Sequence, residues 1–287
     1  MNTERLRRSV GWVDGIVRNR SPRVGVVRGS TDPILFAAEM GFDADEKQAA
    51  VLRAMADPAI KQGILNCTRQ WGKSTTAAAG AVHRLVMRPG SFVVVASPSK
   101  KQSAEMVRTV VGMLAKRKIR TKTDGVHPVS AVLANGSRIV GLPGNEATSR
   151  GLASVSLLLI DEASRVSDAM YHAVRPMLAV AQGDIWLMST PWATCGFFYD
   201  AWEHGGPEWA RFSVKATECP RIPAAWLEKE RQRIGSWVFR REFMAEFVQD
   251  DLAAFDAAVV EEAMDEHLAP MEVDWAEYMK ARDRRGF

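Results

Sequence analysis

Three runs in this chain are apolar at nearly every position: SFVVVAS (91–97), VSLLLIDE (155–162) and DIWLMSTP (184–191). A strand that alternates apolar and polar residues can float on one side of a sheet. A strand that is apolar on both faces needs cover on both sides, which is the signature of a mainly parallel sheet between helical layers. The intervening sequence supplies those layers. ADEKQAAVLRAMA (44–56) reads as a helix with acids in its first turn. GILNC (63–67) is a short strand, followed by an alanine-rich helix that Pro89-Gly90 stops. A basic helix is expected over about 99–118, and others near 168–179, 196–203 and 223–247, with a further strand near 210–216. In VSAVLANGSRIVGL (129–142), Asn135-Gly136 lies between two β-rich runs and predicts a two-residue hairpin turn. The expected fold is therefore α/β, with a mainly parallel central sheet flanked by helices and a small helical extension at the C-terminal end.

Ligands of such sheets bind at the carboxyl ends of the strands. Three polar clusters fall there. The first, CTRQWGKST (67–75), joins a strand to a helix, the context that a phosphate-binding loop requires. The backbone N–H groups of Thr68, Arg69, Gln70, Trp71 and Gly72 and the helix N-terminus would face phosphates, although Trp71 has no separate side-chain role. Lys73 would supply a point charge to the β- and γ-phosphates. The Ser74 hydroxyl, or less directly that of Thr75, would ligate magnesium. The glycine that usually opens such a loop is Cys67 here. The second cluster is Asp161-Glu162, 88 residues after Lys73 at the end of LLLID. Adjacent residues on a strand point to opposite sides, so two acids can hold two jobs. Asp161 would serve the metal and Glu162 would polarise an attacking water. The third cluster, Ser189-Thr190-Pro191, would sense the γ-phosphate. Gln48 has the donor and acceptor that adenine recognition needs. Arg69 and Arg150, the latter in GNEATSRGLAS (144–154), are candidates to neutralise transition-state charge.

Charge is segregated. Residues 1–28 carry seven arginines against Glu4 and Asp14, and residues 242–287 carry 13 acids against four bases. In 100–122, eight Lys and Arg face only Glu105. Such a stretch either pairs with phosphates or forms a solvated helix face. Cys67, Cys195 and Cys219 give neither a disulfide framework nor a zinc spacing, and the five histidines show no metal pattern. No apolar run approaches the roughly 20 residues of a membrane span, and the N-terminus lacks an apolar signal core. A membrane or secreted protein is not expected.

TRQWGKST, ANGSRIVGLPG, SRGLASVSLLLIDEAS and WLMSTP, in this order and spacing, resemble the ATPase domain of the large terminase subunit of tailed bacteriophages, over about residues 40–250. That family's phosphate loop is a deviant Walker A with RQ before x-G-K-[ST], so the resemblance explains Cys67. It implies a P-loop NTPase of the additional-strand, catalytic-glutamate (RecA-like) type that uses ATP and Mg2+. It further implies a homo-oligomeric ring that moves double-stranded DNA into a procapsid at its portal, with the small terminase subunit as partner, in the host cell cytoplasm. By the same resemblance Gln48 is for adenine, Lys73 and Ser74 for phosphates and magnesium, and Asp161 and Glu162 for metal and catalysis. Ser189-Thr190-Pro191 matches the coupling motif, Arg69 the loop arginine and Arg150 the inter-subunit finger.

The expected organisation is a basic N-terminal arm (1–35), a P-loop core (36–220) and a helical subdomain or linker (221–287) leading toward a nuclease domain that is absent. REFMAEFVQDDLAAFD (241–256) resembles the segment that enters such a domain, and about 30 residues follow it. A nuclease domain needs on the order of 100 residues, so DNA cutting is not expected of this chain. Two other functions share parts of the pattern: a helicase-like DNA-dependent ATPase, and a non-hydrolysing ATP-binding docking module.

Overall fold

The computed structural model describes residues 30–142 and 152–248. Its centre is an eight-stranded sheet. The strands are β1 (Gln62–Cys67), β2 (Phe92–Ala96), β3 (Thr121–Lys122), β4 (Ser130–Leu133), β5 (Arg138–Leu142), β6 (Leu157–Asp161), β7 (Asp184–Ser189) and β8 (Trp209–Val214). They lie in the order β3-β4-β5-β2-β6-β7-β1-β8. From β5 to β8 every neighbour is parallel, while β4 pairs antiparallel with both β3 and β5. Thus β7 is inserted between β1, which carries the phosphate-loop sequence, and β6, which carries the acid pair.

The apolar strands split their side chains between two cores, as a sheet covered on both sides requires. Val93, Val95, Leu157, Leu159, Trp186 and Met188 face one core. Val94, Leu158, Ile160, Ile185 and Leu187 face the other. The first is covered by α1 (Pro33–Ala38), α2 (Glu46–Ala56), α3 (Lys73–Met87) and α4 (Lys100–Lys116). The second is covered by α5 (Asp168–Val174) and α6 (Phe197–Glu203). Local chemistry sets several starts. Asp45 and Gln48 form a capping box on α2, Ser99 caps α4 and Ser167 caps α5. On the first core's side, Arg84 of α3 forms a buried ion pair with Asp184 and donates to the Ser156 carbonyl at 3.0 Å. Lys61 pairs with the same aspartate at 3.0 Å. Removing one partner of such a buried pair costs about 3–5 kcal/mol.

Three features differ from the sequence reading. Helix α1 is absent from that reading. It starts at an Asp32 cap with Pro33 in its first turn, and its Phe36 is fully buried. The arm boundary expected at residue 35 therefore falls inside a packed helix, and residues 1–29 lie outside the described ones. The hairpin at Asn135-Gly136 forms, but only Gly136 is left-handed (φ 83°). Asn135 instead donates its side-chain N–H to Leu85 O at 2.9 Å and accepts from Ser137 N at 3.0 Å. The two-residue type I′ turn that Asn-Gly favours, which needs positive φ at both positions, is thereby replaced. The expected 168–179 helix ends at Val174 and continues as a 3-10 turn over Arg175–Leu178, where Pro176 lacks the N–H that an α-helix would use.

After β8 the chain forms α7 (Ala224–Arg233) and α8 (Ser236–Met244) around a small core of Ala216, Leu227 and Phe239. Among the described residues no helix is long and apolar enough to cross a membrane.

Candidate functional site

Register brings the three polar clusters to one rim. Asn66 on β1 is paired with Ser189 on β7, and Met188 with Asp161 on β6, so the three strands end level with one another. The loop 68–72 leaves β1 with Gln70 in the left-handed region (φ 64°) and Gly72 at φ 94° as the cap of α3. At Gly72 a side chain would be strained by that φ, and its Cβ would also approach Gln48 Nε2 to 3.1 Å.

Lys73, the first residue of α3, reaches across the rim. Its Nζ lies 3.3 Å from Glu162 Oε1 and donates to Thr190 Oγ1 at 3.4 Å. Ser74, the next residue, donates to both oxygens of Asp161 at 3.1 Å. The two acids are aimed apart because Glu162 leaves the strand in the left-handed conformation (φ 50°). Burial pushes the Asp161 carboxyl up to about 6, and the Glu162 charge adds to the rise, against opposing help from Lys73 and Ser74. The Ser74 hydroxyl and the Asp161 carboxylate, with Glu162 next in the chain, are oxygen donors of the kind that could hold a hard divalent cation. Ser189 is fully buried, and its hydroxyl is hydrogen-bonded to Ser164 at 2.7 Å. Ser164 also donates to Thr190 O at 2.8 Å. The turn after the acids is thus tied directly to the 189–191 turn. An open cleft of about 680 Å³ lies over this rim, lined by Arg69, Gln70, Lys73, Pro98, Gln102, Glu162 and Arg165.

Several expected site residues also make contacts within the protein itself. The Trp71 side chain is buried in the first core and faces no ligand space. Only its carbonyl is near the site, where it accepts from Gln48 Nε2 at 3.0 Å and from Arg221. Gln48 is itself buried, and its Oε1 accepts from Asp45 N at 3.0 Å. With both ends of its amide engaged, Gln48 braces the loop from α2. Thr68 turns its hydroxyl away from the loop's inner face, to Glu242 O at 3.1 Å. Thr75 is half-buried on the first turn of α3, and Ser74, not Thr75, meets Asp161. Arg69 is largely exposed and pairs with Glu242 Oε2 at 2.5 Å. Pro191 is buried at the end of the turn. Arg150 lies outside the described residues.

Sequence reasoning did not single out Glu242, Ser164, Arg165 or Arg221. Ser164 and Arg165 stand within four residues of the acid pair, so proximity was a usable signal. Glu242 and Arg221 come from distant segments, and nothing local marks them.

Residues 64–259 match the family described as "Terminase large subunit, T4likevirus-type, N-terminal". The large terminase subunit of Escherichia phage T5 is 24% identical over 226 residues, which are 76% of this chain and 51% of that protein. The chain thus spans about half the length of this curated relative. Among solved structures, the large terminase ATPase domain of Thermus Phage P74-26 superposes with a TM-score of 0.63 at 22% identity, covering 74% of this chain and 97% of that one. A large terminase from a thermophilic bacteriophage, in complex with ADP, has a TM-score of 0.62 at 12% identity, covering 71% of this chain and 53% of that one. These structural relatives share the chain's fold, and its mostly parallel sheet with flanking helices is consistent with a RecA-like P-loop architecture. The match covers well over half of the residues, and the chain belongs to the T4likevirus-type family of large terminase subunit N-terminal domains.

Proposed function

We propose that this chain is an ATP-hydrolysing motor domain that drives double-stranded DNA into a procapsid. The observation that carries the reading is the convergence of Lys73, Glu162 and Thr190 within 3.4 Å, beside the Ser74–Asp161 pair at 3.1 Å. A loop lysine held between an acid and a coupling hydroxyl is poised to exchange both for a terminal phosphate. The ADP complex of a structural relative supports the same class of ligand.

The working of the site follows from charge. Lys73 neutralises the β- and γ-phosphates, and the N–H groups at the start of α3 face the same anion. Glu162, released from Lys73 when phosphate arrives, orients and polarises the attacking water. Ser74 and Asp161 would hold Mg2+, which would offset the charge that develops on the phosphates. Arg69 leaves Glu242 for the γ-phosphate. Loss of that phosphate removes the partner of Lys73, and Thr190, joined to Ser164 and Ser189, carries the change into the 189–191 turn.

The remaining parts of the proposal are a homo-oligomeric ring in which Arg150 acts on the neighbouring subunit, a portal and small terminase subunit as partners, and work in the host cytoplasm. The test uses single-turnover and steady-state phosphate release with DNA present. Lys73→Ala and Glu162→Gln are expected to lower hydrolysis at least 10³-fold, an order of magnitude typical of such groups. Glu162→Gln should still bind a slowly hydrolysed ATP analogue. Normal turnover in either variant refutes the assignment.

A further inference from the structure

We propose that Arg165 contacts the terminal phosphate of the bound nucleotide from within the same chain, held in orientation by Trp192. This rests on the nucleotide reading above and names a residue outside the loop, the acid pair and the coupling turn.

Arg165 ends the 3-10 turn Ala163–Arg165, and its backbone N–H donates to Glu162 O at 2.8 Å. It is therefore fixed to the acid that would direct the water. Its side chain lines the same cleft as Lys73 and Glu162. The guanidinium carbon lies 3.2 Å from the centroid of the Trp192 ring. Arg241 of α8 lies 3.9 Å from the same centroid. Two guanidinium groups at those distances would collide on one face, so the indole separates them. Trp192 itself directly follows Ser189-Thr190-Pro191.

The charges at this end of the cleft do not balance. Glu162 is taken by Lys73, and Glu242 is shared between Arg69 at 2.5 Å and Arg241 at 3.2 Å. Among the described residues no carboxylate forms an ion pair with Arg165. Partial burial lowers its pKa; the Glu242 charge and, less strongly, the Glu162 charge oppose that shift, and the charges of Arg241 and Arg69 reinforce it. A planar cation that is stacked in place, crowded by like charge and without an ion-paired acid lacks one complement, an anion with several oxygens. A phosphoryl group accepts the two parallel N–H bonds that a guanidinium offers and a lysine cannot. Because Arg165 borders Glu162 and Lys73, the phosphate it meets is the terminal one. It follows that Arg165 distinguishes ATP from ADP. Trp192 is a positioning residue, and through it the 189–191 turn and α8 both feel whether that phosphate is present.

The test is equilibrium binding of ATP-γ-S and of ADP to the full chain, with magnesium chloride, by calorimetry. Arg165→Ala is expected to weaken ATP-γ-S at least tenfold and to leave ADP within about twofold. Arg165→Lys should fall between wild type and alanine, because charge is kept and the fork is lost. Trp192→Leu should reproduce the loss and Trp192→Phe should restore most of it. The Arg165→Ala/Trp192→Leu pair should be no worse than Arg165→Ala alone, as expected if one acts through the other. An unchanged ratio of the two affinities in Arg165→Ala overturns the proposal. If Lys73→Ala abolishes both affinities while Arg165→Ala leaves their ratio intact, the nucleotide reading stands and Arg165 is only a cation packed on an indole. A wild-type chain that binds neither nucleotide overturns both.

Discussion

Cys67 stands where phosphate loops of the common type have their first glycine. The structure gives a physical reason why the substitution is harmless: Cys67 is still on β1, paired with Val214, and the chain does not turn until after it. The tight positions come later, at Gln70 and Gly72. Burial pushes the Cys67 thiol up to about 12, so it stays protonated and unreactive at neutral pH. Cys219 is also buried, and Cys195 is exposed. Native protein treated with a thiol-alkylating reagent at pH 8 should therefore take up one equivalent, at Cys195, and three equivalents after denaturation. Rapid native labelling of Cys67 would show that the loop opens far more than this packing allows. The neighbouring Trp71 illustrates the opposite lesson. It lies within the motif, yet its side chain belongs to the core, where an indole buried to this degree stabilises by on the order of 3–5 kcal/mol.

Elements carry further consequences that single residues do not. Helix α4 has an apolar stripe of Met106, Val107, Val110, Met113 and Leu114 against the sheet, which leaves its cations outward. One cation near its end is not part of that outward set. Arg117 pairs with Glu39 at 2.9 Å and lies over the Phe36 ring at 4.2 Å, so it anchors α1. The connection between β3 and β4 is built on Asp124. Its carboxylate accepts from Val126 N at 2.9 Å, His127 N at 2.7 Å and Ser130 Oγ at 2.9 Å, and it meets His127 Nδ1 at 2.6 Å. Desolvation alone would raise this carboxyl. The His127 backbone and ring, the Val126 N–H and the Ser130 hydroxyl outweigh it and hold the group well below the usual carboxylate range. A depressed folded-state pKa stabilises above the unfolded value of 3.8 and loses that contribution as the pH falls through the folded value. Asp124→Ala should thus cost roughly 1–3 kcal/mol at pH 7 by chemical denaturation. The gap to wild type should shrink steadily as the pH is lowered below about 4. A gap that stays constant with pH would mean that Asp124 acts by packing and not by charge.

At the scale of the whole molecule, α8 returns to the phosphate loop. Asn66 donates to Ala245 O at 2.8 Å, and both Thr68 Oγ1 and Arg69 N donate to Glu242 O at 3.1 and 3.3 Å. The segment that follows the core is therefore bonded to the loop that precedes α3. Contact between DNA and the cationic stretch 100–122 would also belong to this scale, since it depends on summed charge. Exposed Lys116, Lys118 and Arg120 lie in the cationic stretch 100–122, and reversing them to Glu should weaken DNA binding across sequences. It should also flatten the slope of log affinity against log salt by about 0.9 for each phosphate that the protein no longer neutralises. Arg117 is left intact in that test because its loss would loosen α1. An unchanged slope would assign the stretch to a solvated face.

The sequence by itself determined the sheet, because strands apolar on both faces have no stable alternative to burial between two layers. It also determined the rim, because a phosphate loop, an acid pair and a Ser-Thr-Pro turn each follow such a strand. It could not determine what reaches that rim from elsewhere. Gln48 is claimed by its own helix cap and by a carbonyl 23 residues away. Glu242, 173 residues beyond Arg69, takes that arginine's charge, and Trp192 is placed between cations from two segments. These choices depend on which polar groups are left without partners once the chain has folded. Local spacing does not encode that, and only the tertiary structure decides it.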